Sequence, residues 1–204
     1  MHKILSKIKK KIDPNLIIAI GVLIASFSAL FVYIKQANIM SKQTEILLEQ
    51  TKANSWPRLS VDTDINWLDQ KLESLRIKVH NKGTGPAIIE GVKVSYNGEH
   101  TQNWSDLLSK TQLPDSISNS MSNSSIYNSV LSANENFYWV QFKNDPELAK
   151  WMYDKRSKIT IEICYKSVFD DYWLLTISGE NGFNTTQKLD TKQCPILAHE
   201  MFKT

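Results

Sequence analysis

Leu16 to Ile34 is a run of nineteen residues without a charge. At a rise of about 1.5 Å per residue, a helix over it spans about 28 Å, close to the hydrocarbon thickness of a bilayer. Twelve of the nineteen are Leu, Ile, Val or Phe. Their summed preference for the membrane interior is about −4 kcal/mol. A buried helix of a soluble domain keeps a polar stripe, and this run has none. The apolar centre of a cleaved signal is about 7–15 residues. Here Leu30 to Ile34 carries the run past the small residues Ser26 and Ser28, where a cleavage site would lie. The run reads as an uncleaved, single-pass anchor that includes Leu16, Ile20, Leu23, Phe27, Phe31 and Ile34.

Lysines set the expected orientation. Lys3, Lys7, Lys9, Lys10 and Lys11 precede the run, whereas only Lys35, Lys42 and Lys52 follow it closely. The excess places the N-terminus in the cytoplasm and the C-terminal domain outside an inner (cytoplasmic) membrane; a cytoplasmic domain is the alternative. Residues 1–54 carry eight lysines and three acids, a net +5, while residues 55–204 carry sixteen Lys/Arg and eighteen Asp/Glu, a net −2. The basic flank, with Lys7, Lys9, Lys10 and Lys11, suits lipid headgroups. The domain lacks the positive footprint of a nucleic-acid binder.

Four segments follow: a basic N-terminus at 1–15, the span at 16–34, a stalk at 35–54 and a soluble domain at 55–204. The stalk has no Gly or Pro and is rich in helix formers. Ile39 and Ile46, and Met40 and Leu47, recur at seven residues, a short seam for self-association or for lying on lipid or domain.

From Pro57 the period changes to two. Leu59, Val61, Thr63, Ile65 and Trp67 fall on one face, as do Leu75, Ile77 and Val79, and Val92, Val94 and Tyr96. Such strands bury one side, as in an antiparallel sheet. Asn97-Gly98 marks a hairpin turn. "WSDLLSKTQL" reads as a short helix, and "NDPELAKWMYDKRSK" as a helix capped by Asp145 with Pro146 in its first turn. Residues 115–136, with eight Ser and five Asn, read as a long polar loop. "NFYWVQF", "KITIEICY" and "YWLLTIS" read as strands, the last two joined at Asp170-Asp171; "GENGFNTTQKLD" reads as loop and "PILAHEMF" as a final helical turn. The expected fold is mainly β with some α: a transmembrane helix and stalk, then an antiparallel β-sandwich-like domain with one or two inserted helices.

In "KITIEICY", Ile159, Ile161, Ile163 and Tyr165 share one face, so Cys164 points to the other. It either bridges to Cys194, closing a loop of about 30 residues worth roughly 3–4 kcal/mol, or the two are unrelated free thiols.

Asn81-x-Gly83-x-Gly85-Pro86-Ala87, after a Trp56-Pro57 entry, resembles a pattern in uncharacterised bacterial single-span membrane proteins, and "CYKSVFDDYW" is similar to their later strand pair. The resemblance implies an N-terminal helix and an Ig-like or otherwise β-rich domain. It implies no chemistry. The two glycines are expected to supply positive φ for a strand connection.

No catalytic, cofactor or metal site is expected. "GTGPAI" has Ile88 where a dinucleotide loop needs Gly, and Pro86 removes an N–H that a phosphate would use. The four histidines show no ligand spacing, and no C-x-x-C or G-x-S-x-G occurs. The expected function is a membrane-anchored, non-catalytic interaction or sensing module, self-associating through span and stalk or meeting a protein partner. The alternative is an effector whose cytoplasmic domain binds a small signalling ligand, such as a cyclic nucleotide, and perturbs the membrane in antiviral defence.

Overall fold

Asp13 opens the first helix. Its carboxylate accepts from the backbone N–H of Asn15 at 2.9 Å, and its carbonyl from that of Leu16 at 2.9 Å. In a computed structural model of the protein, which describes residues 13–117, 120–143, 145–179 and 182–203, helix α1 then runs from Pro14 to Asn54 without a break. Leu16, Ile20, Leu23, Phe27, Phe31 and Ile34 are all exposed on it, as are Ile39, Met40, Ile46 and Leu47. Ser26 and Ser28 donate back to the Val22 and Ile24 carbonyls at 2.9 Å, so neither leaves its hydroxyl proton unpaired. α1 is long and apolar enough to cross a membrane. Lys7, Lys9, Lys10 and Lys11 lie outside the described residues.

The chain divides into two compact units, residues 1–51 and 52–204. The described residues of the second form ten strands: β1 Leu59–Leu68, β2 Lys71–Asn81, β3 Ala87–Tyr96, β4 Glu99–Thr101, β5 Ser122–Asn123, β6 Val130–Leu131, β7 Asn136–Phe142, β8 Ile159–Lys166, β9 Tyr172–Ser178 and β10 Asn184–Leu189. They also form α2 (Trp104–Lys110) and α3 (Pro146–Lys155). One sheet has the order β1-β2-β7-β5; the other has β10-β9-β8-β3-β4, with β6 also on β3. Each strand pairing is antiparallel. The inward faces meet in a core of Leu59, Val79, Ile89, Val94, Trp139, Phe142, Ile163, Tyr165 and Leu175. The domain is therefore an antiparallel β-sandwich, although α1 alone contributes 41 helical residues.

The helices start as their caps dictate. Asn103 accepts from Asp106 N–H at 2.8 Å, and Asp145 from Leu148 N–H at 3.0 Å with Pro146 following. α3 buries Leu148, Ala149 and Met152 against β2 and β7. Asn97 and Gly98 take φ of 51° and 81°, the left-handed pair of a tight hairpin turn between β3 and β4.

Three expectations change. Residues 115–136 are not a plain loop: they carry β5 and β6, and they bury Ile126 and Leu131 in the core. Asn184–Leu189, expected as loop, is the edge strand β10; it pairs with β9 through its backbone while its side chains stay largely exposed, so no apolar alternation marks it. Thr63, Ile65 and Trp67 do share the alternation of Leu59 and Val61, yet burial stops at Val61.

Candidate functional site

The two ends of the sandwich differ. The chain enters at one of them, and Asn81 organises that end. Its side chain is wholly buried and makes five hydrogen bonds: Nδ2 donates to the carbonyls of Gly85 (2.8 Å), Leu131 (3.1 Å) and Ser132 (3.1 Å), and Oδ1 accepts from the N–H groups of Gly83 (3.0 Å) and Arg58 (3.1 Å). The entering backbone is clasped as well: Thr84 N–H donates to the Trp56 carbonyl at 2.9 Å and Lys82 N–H to that of Arg58 at 2.7 Å. Gly83 and Gly85 are not in the left-handed region, contrary to expectation. They are required for close approach instead. A Cβ on Gly83 would lie 2.3 Å from the Trp56 carbonyl oxygen, and one on Gly85 2.1 Å from that of Ser55. The N-x-G-x-G-P motif is thus a clasp for the incoming chain.

The opposite end holds the candidate site. Past Val61 the sheets enclose a cleft of about 420 Å³, at the small end of the range for ligand sites. Five isoleucines form its walls: Ile65 and Ile77 from the first sheet, and Ile159, Ile161 and Ile177 at or on the second. Thr63, Asn184, Asp62 and Arg156 supply the polar groups. The Arg156 guanidinium lies 3.7 Å from the Tyr153 ring centroid and donates to the Tyr153 carbonyl at 2.6 Å. Asp62 is paired with Lys82 at 3.2 Å. The cleft lining is therefore mostly hydrocarbon, and Arg156, which forms no ion pair among the described residues, is its one basic residue.

Two polar side chains hold the sheets together beside it. Asn184 accepts from Val61 N–H at 2.8 Å and donates to the Val61 carbonyl at 3.0 Å. The buried Tyr165 hydroxyl accepts from Leu59 N–H at 3.4 Å. Burial holds its proton on, pushing its pKa up to about 12.

The two cysteines are brought together on the outer face of the second sheet as free thiols, Cys164 buried and Cys194 half-buried. Cys164 faces away from the main core, as alternation requires, but the C-terminal tail covers it with Ile196. Asp170 lies at the β8–β9 turn with φ 56°. Among the described residues no group of three or more His, Cys, Asp or Glu is placed to hold a metal. Sequence reasoning missed the cleft because its lining reads as ordinary core; the alternation of β1 continues past Val61, so nothing in the residues marks where burial stops.

The molecule is thus a β-sandwich preceded by a helix able to span a membrane. It belongs to the family described as a domain of unknown function, DUF8453, whose model matches residues 15–195 and so takes in the apolar helix and all ten strands. No curated protein matches the chain.

Proposed function

We propose that the protein is a single-pass, membrane-anchored sensing module that binds a small, largely apolar molecule with one anionic group in the cleft between its sheets. The observation that carries this reading is the uncovered inward face of β1: Thr63 and Ile65 line an open cleft where a closed sandwich would bury them. Five isoleucines set the apolar class of the ligand, and Arg156 at the rim sets its charge. A nucleotide needs several phosphate donors, and the cleft offers one arginine. The lysine excess before the span supports a cytoplasmic N-terminus and an outside domain. The exposed Ile39, Met40, Ile46 and Leu47 support self-association along α1.

The test is a titration of full-length protein in lipid nanodiscs, with isoleucine methyl groups labelled, against decanoate. Shifts should concentrate on Ile65, Ile77, Ile159, Ile161 and Ile177 and vanish in Ile177→Trp. Shifts confined to the isoleucines of α1 would overturn the reading.

The cleft also supports a second reading, an effector whose cytoplasmic domain responds to a small signalling ligand by acting on the bilayer. A protease applied to sealed vesicles of known sidedness separates the two, because only an outside domain is digested from outside.

A further inference from the structure

Two thiols meet where β3 and β8 pair. Gly91 stands opposite Cys164 in that ladder, next to a register slip between Ile89 and Gly91. A Cβ on Gly91 would lie 2.8 Å from the Cys194 sulfur and 3.3 Å from Ile196 Cβ. The Cys194 sulfur therefore occupies the space that glycine leaves, beside Cys164.

The tail that brings Cys194 there is anchored further along. Phe202 N–H donates to the Val92 carbonyl at 2.8 Å, and Lys203 N–H to that of Gln102 at 2.7 Å. The Phe202 ring packs edge-on against Trp104 and Trp139, with centroids 5.1 and 5.8 Å away. Glu200 pairs with Lys93 at 2.7 Å. Residues 190–193, just before Cys194, are by contrast largely exposed. The sensing cleft uses none of these groups.

We propose that Cys164 and Cys194 are a modification site: they form a reversible disulfide that latches the C-terminal tail to the second sheet, through exchange with a small disulfide such as oxidised glutathione. The half-buried Cys194 attacks first. Its thiolate bonds to one glutathione sulfur, the glutathione S–S bond breaks, and one glutathione leaves as thiolate. Cys164 then gives its proton to solvent and attacks the Cys194 sulfur, expelling the second glutathione. The protein loses two electrons and two protons, and the glutathione disulfide gains two electrons. The order of attack follows from the environments. Interaction with the adjacent Cys164 thiol favours the Cys194 thiolate and lowers its pKa, whereas that same pairing and burial push the Cys164 thiol up.

Full-length protein in detergent micelles is equilibrated with reduced and oxidised glutathione at set ratios, alkylated, digested with trypsin and weighed. The expected product is the peptide of residues 159–166 joined to that of residues 193–203. Cys164→Ser should instead accumulate glutathione on Cys194, whereas Cys194→Ser should leave Cys164 unmodified. Gly91→Ala, which keeps both thiols, should slow bridging at least tenfold. Hydrogen exchange over residues 195–203 should slow at least tenfold on oxidation. Separate glutathione adducts on the two wild-type cysteines, free thiols under fully oxidising conditions, or bridging as fast in urea as in the native state would each overturn the site. Bridging without slower exchange would overturn the latch.

Discussion

The entry end of the sandwich and its far end are built from the same two sheets, yet one is shut and the other open. At the entry end, Asn81 satisfies both of its side-chain groups and backbone passes so close to backbone that a methyl group has no room. At the far end, isoleucines face one another across about 420 Å³. The contrast teaches that apolar patterning sets which face of a strand turns inward, while closure depends on specific contacts across the gap. Asn81 provides them at one end; Asn184 and Tyr165 provide them only as far as Val61 and Leu59.

The largest effect is expected at the clasp. Asn81→Ala removes five hydrogen bonds and strands several buried partners, so it should cost about 3 kcal/mol or more in urea unfolding of the full-length protein. A loss below about 1 kcal/mol would mean the clasp does not hold that end shut. Gly85→Ala should cost roughly 2 kcal/mol by forcing the Ser55 backbone away, read in the same experiment. At the far end, Ile177→Phe puts added volume into empty space. Its stability should move by less than about 1 kcal/mol while decanoate binding weakens at least tenfold; a cost matching that of Gly85→Ala would show that the cleft is as tightly closed as the clasp.

The smallest effect concerns the tail. The hydrogen bond from Lys93 lowers the Glu200 pKa, and that same bond raises the Lys93 pKa. A lowered carboxylate stabilises fully above the ordinary range near about 4 and less as pH falls through its folded value; a raised ammonium stabilises fully below about 10 and less as pH climbs through its own. The contribution of this pair to tail attachment should therefore be level between about pH 5 and 9 and weaken beyond each limit. Near-ultraviolet dichroism of Trp104 and Trp139, which contact Phe202, reads this, and Lys93→Met should flatten the acid limb.

Much of this architecture was legible in the residues. The uncharged run, the alternation of β2 and β3, the Asp145-Pro146 cap and the Asn97-Gly98 turn each carry a local signal strong enough to stand without tertiary help. What escaped depends on distant partners. β10 is polar on both sides and held by its backbone, and Ile126 is a single apolar residue among serines that acquires meaning only when the core accepts it. Gly83 and Gly85 were legible as necessary, but the reason lay with Ser55 and Trp56, far away in sequence. The meeting of Cys164 with Cys194 likewise needed the tail to fold back over the sheet.

The amide of Asn184 does more than join two layers. β1 is an outer strand, ten residues long, and such an edge is a template on which a foreign chain can add itself. At Val61 both outward backbone groups are already occupied, one by each half of that amide. An intruding strand would find the ladder already taken near its start, so this side of the domain is guarded against accretion by two side chains, Asn184 at Val61 and Tyr165 at Leu59.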